Sequence, residues 1–380
     1  MTKIGVLTFH NTSDNYGQVL QYLATQEYLT GRGHEASLIC SQGHRVTLMK
    51  RVLIVARSIV TRFFKKKKDV APIKNTPQVG NEKEKQEIFK RWAEITKKAE
   101  AQHPRHFNDF RRRFFNMTVG TYEQILSKSF DAFCVGSDQT WSDAGEHYLL
   151  GWCKKKQKKI SIAPSVGHRV YTDDQINDFK LYLQTFDFIT VREKNGVDFC
   201  SRCGRNDAVV VLDPVFLIPS SLYNKYGVEQ ETPSKYVFVY MLGGEISEPI
   251  QNIIIFCKEH GLDVKYVESQ GREEDVDKIY ATVEEWIGLI RDAQYVITNS
   301  FHGMAMSIVY RKPFLVFPLV GLMSGLNERI VSLSHLMGCE NRIYNNKMDI
   351  LFNEIDWTVV DKKIKENKKQ VDDLMKGVGL

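Results

Sequence analysis

Short runs of β-branched and aromatic residues alternate with helical patterns along almost the whole chain, and this restricts the fold more than any other feature. The runs "KIGVLTF", "HEASLIC", "DAFCVGS", "KISIAPS" and "FDFITVR" form a first set. "VVVLDP", "YVFVYML", "DVKYVES", "QYVITNS" and "PFLVFP" form a second. Strands separated by helices pair through crossover connections, so the pattern predicts parallel sheets and doubly wound α/β domains. The 380 residues suffice for two such units. The polar, aperiodic stretch around 195 to 208, containing "CSRCGRND", is expected to divide them. This gives a first domain over 1–200, a second over 205–358, and a charged helix over 359–380 that returns to the first domain.

Other features bound the setting. Seven cysteines without repeated spacing fit a reducing compartment, and the first residues lack the apolar core of a secretory signal, so the chain is expected to be cytoplasmic. A net charge of +6 without an arginine-rich groove or RNA-binding motif favours an anionic small substrate or an acidic surface over nucleic acid. Leu48 to Asp69 is basic and amphipathic and ends in four lysines; it reads either as a domain helix with a solvated loop or as a peripheral contact with an anionic membrane surface. The chain from there to about "NEKEKQEI" is expected to be mobile.

The candidate chemistry sits where apolar runs end in polar turns. In "VITNSFHGMA" the strand stops at Asn299 or Ser300, either of which can cap the helix that follows. Its first turn carries His302 at the carboxyl edge of a parallel sheet, where such sheets bind ligands. Ser300 and Gly303 would add free backbone N–H groups for an anion, and Gly303 would allow a ligand or a strand to come close. For a lone histidine, helping to cap the helix or filling a core gap is the plainer role, and the neighbouring motifs shift the balance. "GSDQTW" repeats the design: Asp138 and Gln139 are candidates to hold sugar hydroxyls and Trp141 an apolar platform, with helix capping the plainer role for Asp138. Asn15 and Gly17 of "HNTSDNYGQ" mark a substrate loop without the P-loop order. Arg192 in "ITVREKNG" offers a fork for a carboxylate or phosphate, or else pairs with Glu193 or another acid. Arg329 in "GLNERIVSLSHLMG" is a further candidate for the same cleft. The single C-x-x-C at Cys200 and Cys203 lacks a second pair for zinc, and no histidine spacing suggests a metal.

Together "GVLTFHNTSDNYGQVLQ", "FDAFCVGSDQTW", "TVRE", "VLDPVFL" and "VITNSFHGMAMSIVYRKPF" resemble, in order and spacing, the polysaccharide pyruvyl transferase family over about residues 3 to 340. The resemblance implies two Rossmann-like domains facing across a cleft, similar to B-type glycosyltransferases. It also implies transfer of the enolpyruvyl-derived group of phosphoenolpyruvate onto a pair of sugar hydroxyls as a ketal, in capsule or exopolysaccharide synthesis. No cofactor or metal is implied, and the acceptor would be a sugar or a lipid-linked oligosaccharide. By position His302 matches the family's active-site histidine and Arg192 an arginine that holds the donor; Ser300 stands where some members carry another arginine. Two other readings remain at this point. One is a glycosyltransferase on the same frame using a nucleotide sugar, with Glu268 as its only candidate ribose ligand; the other is a non-catalytic glycan-binding or scaffolding member.

Overall fold

The computed structural model describes residues 1–41, 82–142, 147–167, 171–229 and 235–380. The basic stretch from Leu48 to Asp69 lies outside them. Of the region expected to be mobile, the part from Glu82 onward is helix, Glu82–Gln102.

Seven strands form the first sheet: β1 (Lys3–Leu7), β2 (Glu35–Ser41), β3 (Met117–Gly120), β4 (Ala132–Val135), β5 (Lys158–Ser161), β6 (Phe188–Val191) and β7 (Val209–Val210). Every pairing is parallel, in the order β3-β2-β1-β4-β5-β6-β7. The second sheet contains β8 (Tyr236–Tyr240), β9 (Asp263–Tyr266), β10 (Tyr295–Thr298) and β11 (Phe314–Val316), again parallel, in the order β11-β10-β8-β9. The chain reverses its direction of winding between β1 and β4 in one sheet and between β8 and β10 in the other. Those reversals open crevices at the carboxyl ends of the strands.

Two expectations need correction. "VVVLDP" does not open the second unit: Val209 and Val210 pair with Thr190 and Val191 and extend the first sheet beyond the expected boundary. A short apolar run reads alike in either sheet, so composition could not decide between them. Strand β3 was not foreseen, because this short strand alternates buried and exposed residues without a bounding turn cluster.

In helix Tyr16–Gly31 the apolar residues Leu20, Leu23, Ala24 and Tyr28 share one face, yet the helix is buried on nearly all sides, Gln21 and Thr25 included. Two of these polar groups bond within the lobe, Gln21 Nε2 donating to Thr8 Oγ1 at 2.7 Å and Thr25 Oγ1 to the Gln21 carbonyl at 2.8 Å, while Gln21 Oε1 is buried without a hydrogen-bond partner. The reason is its position between the first sheet and the second lobe, where Tyr16 stacks on Trp286 at 5.3 Å and donates to the Ala281 carbonyl at 2.6 Å. One apolar core therefore runs through both lobes, from Ile4, Leu20 and Leu38 to Phe238, Trp286 and Met304. The closing helix Trp357–Gly377 meets the first lobe near its end, where Asp372 accepts from Tyr28 Oη and Arg32 Nη1, both at 2.7 Å. Among the described residues no helix is long and apolar enough to cross a membrane.

Candidate active site

Both winding reversals face the same space. A cleft of about 200 Å³ is lined by Phe9, Asp14, Asn15 and Gln18 after β1, and by Asp138 and Gln139 after β4. From the second lobe come Leu242 and Gly243 after β8, Ser300 to His302 after β10, and Arg329.

His302 reaches it through the start of helix Phe301–Val309. Ser300, rather than Asn299, is the cap: its Oγ accepts from Gly303 N at 3.3 Å. Asn299 instead clamps the loop after β8, accepting from Leu242 N at 2.6 Å and donating to the Leu242 carbonyl at 2.9 Å. The imidazole is 7% exposed and lies directly on Gly17 of the opposite lobe; a Cβ there would stand 2.0 Å from His302 Nδ1. Gly17 thus does not contact a ligand through a flexible loop; it is the second residue of helix Tyr16–Gly31 and the seat of the histidine. Gly303 also faces protein, since a Cβ on it would meet Thr298 Oγ1 at 2.5 Å. The backbone N–H groups expected to be free for an anion are both used within the protein, that of Gly303 by the Ser300 cap and that of Ser300 by Thr298 Oγ1 at 3.0 Å; of the close approaches foreseen for Gly303, the one to a strand is seen.

Behind His302 stands Asp213, which the sequence reading did not single out. Its Oδ2 lies 3.7 Å from His302 Nε2, a charge contact beyond hydrogen-bond length, while accepting from Ser137 Oγ at 2.5 Å and Arg192 Nη1 at 3.0 Å. Burial alone would raise the Asp213 carboxyl, but His302, Arg192 and Ser137 outweigh it and hold the group well below the usual carboxylate range. The clue available in the sequence was the aspartate ending an apolar run before a proline, in "VVVLDP".

Arg192 does not line the cleft, which corrects its expected place against the donor. It is 3% exposed, bound to Asp213 and Ser137, 3.6 Å from Glu193 through Nε, and packed 4.5 Å from the Phe301 ring centroid. Burial by itself would weaken its hold on the proton; the charges of Asp213 and Glu193 reverse the shift. The pairing with acids, weighed as the plainer reading, is what the fold adopts.

Arg329 is the cation that does line the cleft. Its Nε is buried without a hydrogen-bond partner, and its guanidinium lies 6.0 Å from the Phe301 ring. Burial, and then the like charge of Arg192, lower its pKa to about 10, which leaves it cationic at neutral pH.

Asp138 lies in the cleft wall in a left-handed conformation, φ 75°, pinned by Ser165 N donating to its carbonyl at 2.8 Å. A non-glycine residue held there costs on the order of 1–3 kcal/mol and marks sites where side-chain aim matters. Its Oδ1 accepts from Gln139 N at 2.9 Å; it caps no helix. Asn15 caps helix Tyr16–Gly31 from the rim of the cleft, accepting from Gln18 N at 3.2 Å. Trp141 is not a platform: it is fully buried, donates its indole N–H to the Tyr148 carbonyl at 3.1 Å and packs edge-on against Phe186. Large aromatic area at a strand end went into the core. Glu268 is buried, 3.1 Å from Lys278, and is not itself among the residues that line the cleft, so the nucleotide-sugar reading loses its candidate.

The family model for polysaccharide pyruvyl transferase matches residues 15–319, which include helix Tyr16–Gly31, Asp138, Asp213 and His302. The chain belongs to this family of transferases. Among curated proteins nothing matches. Similar solved structures include the UDP-GlcNAc 2-epimerase of Methanocaldococcus jannaschii, 9% identical over 99% of both chains with a TM-score of 0.48. The enzyme of the same name from Neisseria meningitidis, bound to UDP-GlcNAc, is 10% identical over 99% of both chains with a TM-score of 0.45. The spinosyn rhamnosyltransferase SpnG is 12% identical over 99% of this chain and 100% of its own, with a TM-score of 0.47. These likenesses say nothing about the reaction. Within the span matched by the pyruvyl transferase model, Asn15 and Asp138 face His302 across one cleft.

Proposed function

We propose that the protein transfers the enolpyruvyl-derived group of phosphoenolpyruvate to two hydroxyls of a sugar, in the synthesis of a capsule or exopolysaccharide. The observation that carries this reading is the pairing, in one cleft, of a histidine backed by a carboxylate with an arginine that makes no ion pair among the described residues.

Protonated His302 gives its proton to the methylene carbon of the donor, leaving positive charge on the neighbouring carbon. A first sugar hydroxyl adds there and loses its proton to Asp138. The second hydroxyl then forms the other C–O bond as the C–OPO₃ bond breaks, and its proton leaves with phosphate. Asp213, its Oδ2 3.7 Å from His302 Nε2, is the carboxylate that stands behind the ring. General acid help is worth roughly 10²–10⁴ in rate. Arg329 binds the carboxylate or phosphate, and the positive end of helix Phe301–Val309 adds to the field at the same wall.

The test is phosphate release from phosphoenolpyruvate in the presence of galactose- or mannose-type acceptors, run beside thermal-shift measurements with nucleotide sugars. Acceptor-dependent release supports transfer. Stabilisation by nucleotide sugars alone, without release, would overturn it.

A further inference from the structure

Next to the His302 cleft lies a second space of about 500 Å³, lined by Ser13, Asp14, Thr96, Lys97, Glu100 and Gln270 among others. Asp14 and Gln270 also line the cleft, so the two spaces adjoin. Its roof is helix Glu82–Gln102, which precedes β3 in the first sheet yet is fastened to the second lobe. Trp92 fills a notch cut by glycines: a Cβ on Gly244 would lie 2.8 Å from its Nε1, and one on Gly271 3.0 Å from its Cδ2. Arg91 pairs with Glu273 at 2.5 Å, and His103 stacks on Tyr280 with centroids 4.2 Å apart. Glu100 is held by both oxygens, Oε1 from Arg105 N and Oε2 from Arg105 Nε, each at 3.1 Å. Arg105 itself is buried, yet the Glu100 side chain stays 27% exposed. A carboxylate fixed in this way keeps free lone pairs aimed without further ordering cost, which suits the hydroxyls of a sugar. A nucleoside diphosphate would meet two carboxylates, Asp14 and Glu100, against one ammonium, Lys97.

We propose that this groove binds the non-reacting sugar units of a glycan acceptor, so that the protein selects its acceptor by length. The proposal rests on the reading of the His302 cleft as the transfer site. Galactose, mannose and their linear di- and trisaccharides are titrated into the protein by calorimetry and then supplied as acceptors for phosphate release. A trisaccharide is expected to bind roughly tenfold or more tightly than its monosaccharide. Ala93→Trp and Thr96→Trp, both on the groove side of the helix, should return it to the monosaccharide level while changing monosaccharide binding by less than about twofold. Equal affinity along both ladders, or equal loss at every length in variants with unchanged melting temperature, overturns the groove. Length-dependent binding with no phosphate release from any acceptor sinks the transfer reading and leaves the groove standing.

Discussion

The His302 ring rests on the α-carbon of Gly17, so Gly17→Ala puts a methyl group where the imidazole is. Overpacking of this kind costs about 1–3 kcal/mol. Phosphate release should fall by roughly the same 10²-fold or more as in His302→Ala, with far-ultraviolet circular dichroism unchanged in both. Near-normal turnover in either variant removes the imidazole from the acid role. The two arginines should behave oppositely. Arg192→Ala strips Asp213 of its main cation and is expected to lower stability by about 3–5 kcal/mol, read in urea unfolding. Arg329 is half-buried and its Nε has no hydrogen-bond partner, so Arg329→Met should leave the melting temperature equal or higher, while donor KM rises by roughly 10- to 100-fold. The Asp213 carboxyl is depressed in the fold, so its stabilisation is full above about pH 4 and is lost as the pH falls through the native-state value. The stability gap between the wild type and Asp213→Asn should therefore narrow between about pH 4 and more acid solution. A gap of constant size would mean the carboxylate acts as a shape and not as a charge.

At the level of elements, the start of helix Phe301–Val309 sets the cleft's second wall. Ser300→Ala should lower the urea midpoint by the equivalent of about 1 kcal/mol without changing the slope, because one capping bond is lost and nothing is repacked. This junction was largely legible in the sequence: the apolar run, the polar turn and the apolar helix face fix a strand, a cap and a first-turn histidine, though not which of Asn299 and Ser300 is the cap. What local pattern could not supply were the partners brought from far along the chain. Arg192 reads as an open fork until Asp213, 21 residues on, is folded beside it. Trp141 reads as a platform until Phe186 and the Tyr148 carbonyl enclose it. Gly17 reads as loop freedom until a histidine from the other lobe lands on it. Helix Glu82–Gln102, rich in charge, showed no apolar periodicity strong enough to announce that Trp92 anchors it.

Over the whole molecule, the lobes share one apolar core, and Asp213 lies on the segment between their sheets, in contact with Ser137 and Arg192 on one side and His302 on the other. Two lobes joined only by a polar hinge would melt in separate steps. This chain is expected to give a single calorimetric transition whose van 't Hoff and calorimetric enthalpies agree; two resolved transitions would show that the common core does not couple them. A jaw fused at its root is expected to gape little, which leaves the mouth between the rim residues as the way in and out. It also means that neither half can be grafted onto a relative's opposite half as an interchangeable cassette, because the histidine and its seat were carved to fit each other across the seam.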